Sequence, residues 1–391
     1  MARKRLIDPG WSWDDTYTFS QGVRSGDLLF VAGQGAFDPS GNLVGRGDIA
    51  AQTRQIFENM KAILGAEGAL LNDVVNLKVF LGSADYVEPV HQVRAEYFKG
   101  ERPSSSGVEA GDLVLEGMLI EIDAVAALGA ARANRATLDP GWSWDDRFIF
   151  SQGVAAGDLI FVSGQLPLDA QGNLVGRGDS AAQARQVFSN MRAVLEQAGA
   201  GMDDVVMITS FFADIGNLSG IHQVRREFFR EPFPASTGVE VRRLPFEGML
   251  LEVDAIAVRG GLKKEVVDPG WAWDDQFAFS QAIRAGDLLF VSGQVALDPA
   301  GKVVGQEGDM AAQTRQVFEN LQAILGAAGA SLDDVVKLHS YLPDVSRYGA
   351  GHEVRARYLT RDYPASRGVG VKALAFPGLL LEVDVIAALG K

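Results

Sequence analysis

One eight-residue stretch returns three times and constrains the whole chain. Asp8-Pro9-Gly10-Trp11-Ser12-Trp13-Asp14-Asp15 recurs from Asp139 to Asp146 and, with Ala272 for the serine, from Asp268 to Asp275. The copies start 131 and 129 residues apart. That is the size of a domain, far above the roughly 20–50 residues of a solenoid or propeller repeat. Three such units in 391 residues divide the chain at 1–129, 130–260 and 261–391. They point to a covalently joined trimer closed by pseudo-threefold symmetry. A site between copies then occurs three times, and each version can diverge alone.

With 47% hydrophobic residues, every unit can bury its own core. Apolar runs such as Met118-Leu119-Ile120 are soon broken by charges, so no membrane span is expected. The basic start, Met1 to Arg5, leads into Leu6-Ile7-Asp8-Pro9 rather than an apolar stretch, so no secretory signal is expected either. The absence of cysteine excludes disulfides and thiolate-held metals and fits a cytoplasmic protein. A net charge of −14 argues against a nucleic-acid partner, because phosphate binding draws on clustered Lys and Arg. Three of the four histidines, His91, His222 and His352, hold the same repeat position. One per unit makes no metal site within a unit, though three can meet on a symmetry axis. Neither a metal nor a cofactor is expected.

Within one repeat, Phe19–Val23 and Leu28–Val31 flank a Gly-Asp turn and read as a hairpin. Asp48 reads as the N-cap of a helix whose Ile49, Ile56, Met60 and Ile63 form one stripe. A strand over Val74–Phe80, a helix over about Val87–Phe98 and strands near Ser106–Ala110 and Met118–Ala127 follow. The order ββαβαββ predicts an α+β domain, one mixed sheet with two helices on one face. The other two sheets are the natural cover for the second face, with sheets inside and helices outside. The segments 130–137 and 259–265 read as short linkers.

Four blocks recur in order in each repeat. They are the Phe-Ser-Gln start, the Gly-Gln pairs (Gly33-Gln34, Gly164-Gln165, Gly293-Gln294), the helix from Gly178 to Asn190, and the Pro234–Val241 and Leu251–Ala257 finish. Together they resemble the reactive-intermediate deaminase (Rid, YjgF-like) family across essentially each repeat. The resemblance implies a trimer of chorismate-mutase-like domains with ligand clefts between neighbours, and hydrolysis of reactive enamines and imines with release of ammonia. It also implies an arginine in a Pro-Ala-Arg-Ser stretch that grips the substrate carboxylate. Here Ser105, Ser236 and Ser366 stand at that position. They lack a Gly-x-Ser-x-Gly elbow and read as hydrogen-bonding groups rather than nucleophiles. The family's water-orienting glutamate corresponds to Glu121, Glu252 and Glu382, a tyrosine becomes Phe19, Phe150 and Phe279, and an asparagine becomes His91, His222 and His352.

Two readings stay open for each candidate group. The glutamates alternate with apolar residues, as in Ile120-Glu121-Ile122-Asp123, and lie either on a solvated face or in an inter-repeat cleft, where burial raises their pKa. Arg94, Arg225 and Arg355 follow the histidines by three residues on the same helix side. They either pair with Glu96 or Glu227 on a solvated face or replace the lost clamp, with the imidazole as acid or base. The tryptophans either pack the domain or wall a cleft, and Asp14-Asp15 is a weak cation motif. The repeats differ where Ser106 and Thr237 become Arg367, Lys78 and Thr209 become His339, and Glu109 and Glu240 become Gly370. Unequal clefts are therefore expected. One residue along a strand turns a side chain to the opposite face, so Arg367 is not expected to replace the clamp. The expected function is a Rid-like hydrolase of a small C–N substrate, with catalytic glutamates and Ser, His and Arg binding the substrate. The alternative is a binding or scaffold protein on the same fold. A ribonuclease role is disfavoured by the charge.

Overall fold

An amphipathic helix has to bury one stripe, and in every repeat a mixed sheet receives it. The computed structural model describes residues 4–13, 17–144, 148–271, 277–305 and 308–390. The first repeat runs β1 (Arg5–Ile7), β2 (Gly22–Ser25), β3 (Leu28–Gln34), α1 (Ile49–Gly65), β4 (Val74–Leu81), α2 (Val87–Tyr97), β5 (Ser104–Glu109) and β6 (Ile120–Ala127). The second opens with α3 (Gly129–Ala133) and continues through β7 (Ala136–Leu138), β8 (Gly153–Ala156), β9 (Leu159–Gln165), α4 (Ser180–Glu196), β10 (Val205–Phe212), α5 (Leu218–Phe228), β11 (Ala235–Glu240) and β12 (Leu251–Val258). The third holds β13 (Lys264–Val267), β14 (Ala282–Ala285), β15 (Leu288–Val295), α6 (Met310–Ala327), β16 (Val335–Leu342), α7 (Tyr348–Tyr358), β17 (Ala365–Gly370) and β18 (Glu382–Ala388). No helix among the described residues is long and apolar enough to cross a membrane.

The sheets are six-stranded and share one order, β1-β2-β3-β6-β4-β5 in the first repeat. Only the β4–β5 pair is parallel there. Each sheet has one strand more than the ββαβαββ reading. The added β1, β7 and β13 are three or four residues long, too short for an alternating pattern to register. β7, β13 and α3 fall within or beside the segments read as linkers. The expected strand over Phe19–Val23 begins at Gly22 instead, because Ser20 bridges Ala365 of the third repeat. The capping reading holds: Asp48, Asp179 and Asp309 accept from the backbone N–H groups of Ala51, Ala182 and Ala312.

On one face of the first sheet, Ile56, Phe57, Met60 and Ile63 of α1 pack on Val31, Ile120 and Ile122. On the other face, Val23, Phe30 and Val75 join Val154, Phe161 and Val206, and Ile283, Phe290 and Val336, in one cluster. All three sheets therefore share a central core with helices outside. Burying each large apolar side chain is worth about 1.5–3 kcal/mol. Contacts between repeats run in a ring. Ser151 N donates to Pro103 O, Ser280 N to Pro234 O and Ser20 N to Pro364 O, at 2.9, 3.1 and 3.0 Å. Cations at equivalent positions repeat the pattern: Arg135 reaches Val74 O, Lys264 Val205 O and Lys4 Val335 O.

Candidate functional site: three clefts between repeats

β6, β12 and β18 lie between two other strands of their sheets, so their polar residues cannot sit at a solvated edge. Alternation sends the isoleucines of β6 to the helix side and Glu121 and Asp123 to the other face. Glu121, Glu252 and Glu382 are 6%, 2% and 4% exposed. Each carboxylate lies against a glycine of the preceding strand pair. A Cβ on Gly33, Gly164 or Gly293 would collide with the facing Oε1. The glycine of each Gly-Gln motif thus makes room for the acid. The glutamine ties two segments together, as Gln34 Nε2 donates to Gln21 Oε1 at 2.8 Å. Burial, with the Asp two residues on adding to it, pushes the glutamates up to about 8 against partial relief from nearby donors and cations.

The facing wall comes from the neighbouring repeat. Arg94 is buried in α2 and its Nη1 donates to Ser105 Oγ at 3.1 Å. Arg225 donates to Ser236 and Ser210, and Arg355 to Ser366 at 2.7 Å and to Thr18 O. The second helix thus brings a guanidinium beside each serine at the vacated clamp position. Pairing with Glu96 or Glu227 does not occur. Arg54 holds Glu96, and Arg185 holds Glu227. Among the described residues the three arginines make no ion pair, and the buried Nε of each lacks a hydrogen-bond partner. Burial lowers Arg94 to about 9 and Arg225 to about 10. An unpaired guanidinium in such a place favours an anionic ligand.

The histidines link repeats. His91 Nδ1 accepts from Ile149 N at 3.2 Å, and His222 Nδ1 from Ala278 N at 3.4 Å. His352 packs between Tyr348 and Tyr17, with ring centroids 5.7 and 6.2 Å away. Burial and then the adjacent arginine push His91 and His222 down to about 3, so these imidazoles are neutral at neutral pH. His91 and His222 line two different clefts, while His352 sits behind Tyr17 and Tyr348 of the third rather than lining it.

One cleft collects Glu252 with His91, Arg94 and Ser105; a second, Glu382 with His222, Arg225 and Ser236. The third sets Glu121 against Arg355 and Ser366. Phe150, Phe279 and Phe19 line them in turn, and the cavities measure about 60, 70 and 100 Å³. Trp11 stacks on Trp13 and Trp142 on Trp144, and their second indoles bond Asp38 O and Asp169 O. Trp13 packs the domain and also walls the third cleft. Asp14, Asp15, Asp145, Asp146, Trp273, Asp274 and Asp275 lie outside the described residues.

The aspartates two residues beyond the glutamates face the centre instead. Asp123 meets Lys337 and Arg367, both at 2.8 Å, Asp254 meets Lys78 at 3.0 Å, and Asp384 meets His339 at 2.8 Å. Arg367 stacks over Phe80 at 4.0 Å and joins this central cluster, and it also lines the third cleft beside Glu121. The sequence reading missed this cluster. Its signal was the Asp two residues after each Glu, together with the charged substitutions Lys78, His339 and Arg367.

Residues 14–128, 146–259 and 272–389 match the family profile described as Endoribonuclease L-PSP. A RutC family protein of Pyrococcus abyssi is 39% identical over 110 residues, which is 28% of this chain and 86% of that protein. A 2-iminobutanoate/2-iminopropanoate deaminase of Salmonella typhimurium is 39% identical over 113 residues, 28% of this chain and 87% of that protein. The crystal structure of a YjgF/YER057c/UK114 family member from Mycobacterium tuberculosis is 34% identical. It covers 32% of this chain and 100% of that one, with a TM-score of 0.29.

Proposed function

Because the chain belongs to the endoribonuclease L-PSP family and carries the family domain three times, we propose that it hydrolyses small imines or enamines, releasing ammonia in its inter-repeat clefts. One observation carries this reading. In every cleft a buried glutamic acid from one repeat faces a buried guanidinium and serine from its neighbour. The relocated arginine answers the objection raised by the missing clamp, so a 2-imino acid is the favoured substrate class. The name of the Salmonella relative points the same way.

The guanidinium holds the substrate carboxylate, and the neutral histidine braces the wall behind it. Below about pH 8 the glutamic acid is protonated and gives its proton to the imine nitrogen. The carboxylate so formed takes a proton from the attacking water as oxygen bonds to carbon. That proton passes to the amine of the tetrahedral adduct, the C–N bond breaks as the adduct's hydroxyl gives its proton back to the glutamate, and ammonia leaves a 2-oxo acid. Positioned proton transfer of this kind is worth roughly 10²–10⁴-fold. Phe19, Phe150 and Phe279, in place of a tyrosine, favour the second reading, ligand binding without turnover.

Ammonia release from imines generated in situ by an amino-acid oxidase tests the proposal. Release should exceed the uncatalysed rate, fall above about pH 8, and vanish when Glu121, Glu252 and Glu382 are all replaced by Gln. Acceleration that survives the triple replacement removes the glutamates from the chemistry. Thermal stabilisation by ligand with no acceleration selects the binding reading.

A further inference from the structure

We propose that the cleft between the third and first repeats is specialised for a ligand whose side chain carries a hydrogen-bonding group, while the other two take apolar side chains. The inference rests on the reading of the clefts as 2-imino or 2-oxo acid sites. Several equivalent positions separate this cleft from the others, among them Arg367, which lines it where Ser106 and Thr237 stand. Tyr17 stands where Phe148 and Phe277 stand, and Tyr348 where Val87 and Leu218 stand. Gly35 replaces Leu166 and Val295. The result is both roomier and more polar, about 100 Å³ against about 60 and 70 Å³.

The two phenols flank one imidazole and line the same cleft. Both rings pack against His352, and Tyr348 also feels the charges of Arg355 and Glu121. Burial above all raises the Tyr348 phenol, so it stays protonated and able to donate to a ligand. The other two clefts close the same region with an aromatic pair: Phe148 lies 5.9 Å from Phe246, and Phe277 6.3 Å from Phe376. The first repeat has Leu115 in place of that partner. A hydroxyl in an aromatic cavity costs free energy until a polar group meets it, and an aromatic pair penalises a polar side chain. The first effect selects a polar ligand for one cleft, and the second excludes it from two.

Calorimetric titration of the full chain with two product-like 2-oxo acids tests this. Hydroxypyruvate has a hydroxyl side chain and 4-methyl-2-oxopentanoate an aliphatic one. Hydroxypyruvate should bind one site per chain and weaken about tenfold or more in the Tyr17→Phe/Tyr348→Leu variant, roughly the loss of one hydrogen bond. The aliphatic acid should fill the other two sites and report, through unchanged binding there, that the variant is folded. Hydroxypyruvate binding at three equal sites, binding that ignores the double substitution, or no binding of either acid overturns the inference. The chemistry is judged separately. Site partition without ammonia release sinks the hydrolase reading alone, and ammonia release without partition sinks this one alone.

Discussion

Glu121, Glu252 and Glu382 show how one residue type acquires a function from its surroundings. Free glutamate titrates near 4.5, but burial in the clefts holds these three near 8. Between those values the fold keeps three protons that the unfolded chain has released. Their stabilising contribution is whole below about pH 4.5 and is lost as pH rises through 8. Asp123 and Asp384 act oppositely. Burial alone would raise them, but their cationic neighbours hold them below the usual carboxylate value, so their contribution fades as pH falls below it. The buried histidines His91 and His222, held near 3, oppose this below pH 6.5, so wild-type stability should decline most clearly from pH 6.5 to 8, by on the order of 1 kcal/mol per pH unit for each glutamate. The triple Gln variant should lose that decline, its denaturant titrations giving a curve nearly flat above pH 6.5. Superimposable wild-type and variant profiles would mean that the glutamates are not buried as acids. The candidate acids were legible because Glu and Asp alternate with apolar residues. The direction of Arg94 was not, because a residue at i+3 on a helix face can reach solvent or a neighbour equally well.

At the scale of elements, β9 and β12 make one wall of the 1–2 cleft together. Gly164, next to last in β9, lies against Glu252 of β12, and no other residue leaves room for the carboxylate. In a chain whose Glu121 and Glu382 are Gln, Gly164→Ala should lower ammonia release at least about tenfold, as a displaced catalytic group does. Far-ultraviolet circular dichroism should stay unchanged, and full turnover would mean that Glu252 needs no such pocket. The helices were readable from stripe and cap, since α1, α4 and α6 each bury a 3.6-period face behind an aspartate cap. The short strands β1, β7 and β13 were not. Three or four residues carry too little pattern, and their pairing depends on β2, β8 and β14 being present beside them.

For the whole molecule, the central cluster ties the repeats together with unlike partners. Lys78 of the first repeat meets Asp254 of the second, and Lys337 and Arg367 of the third meet Asp123 of the first. Asp123→Asn would leave two buried cations short of a counter-charge. It should destabilise the chain by about 3–5 kcal/mol, read as a shift in denaturant midpoint. A shift within error would show that the cluster is dispensable. The sequence by itself determined the number of units, their α+β elements, the helix caps and the acids alternating in the last strand. Each of these is a local property, set by periodicity and capping chemistry within a few residues. Only the tertiary structure decided that Arg94, Arg225 and Arg355 turn into the clefts, that a glycine makes space for each glutamate, and that one cleft carries two phenols. Those outcomes depend on groups roughly a hundred or more residues apart being pressed together, where burial and neighbouring charge set the chemistry.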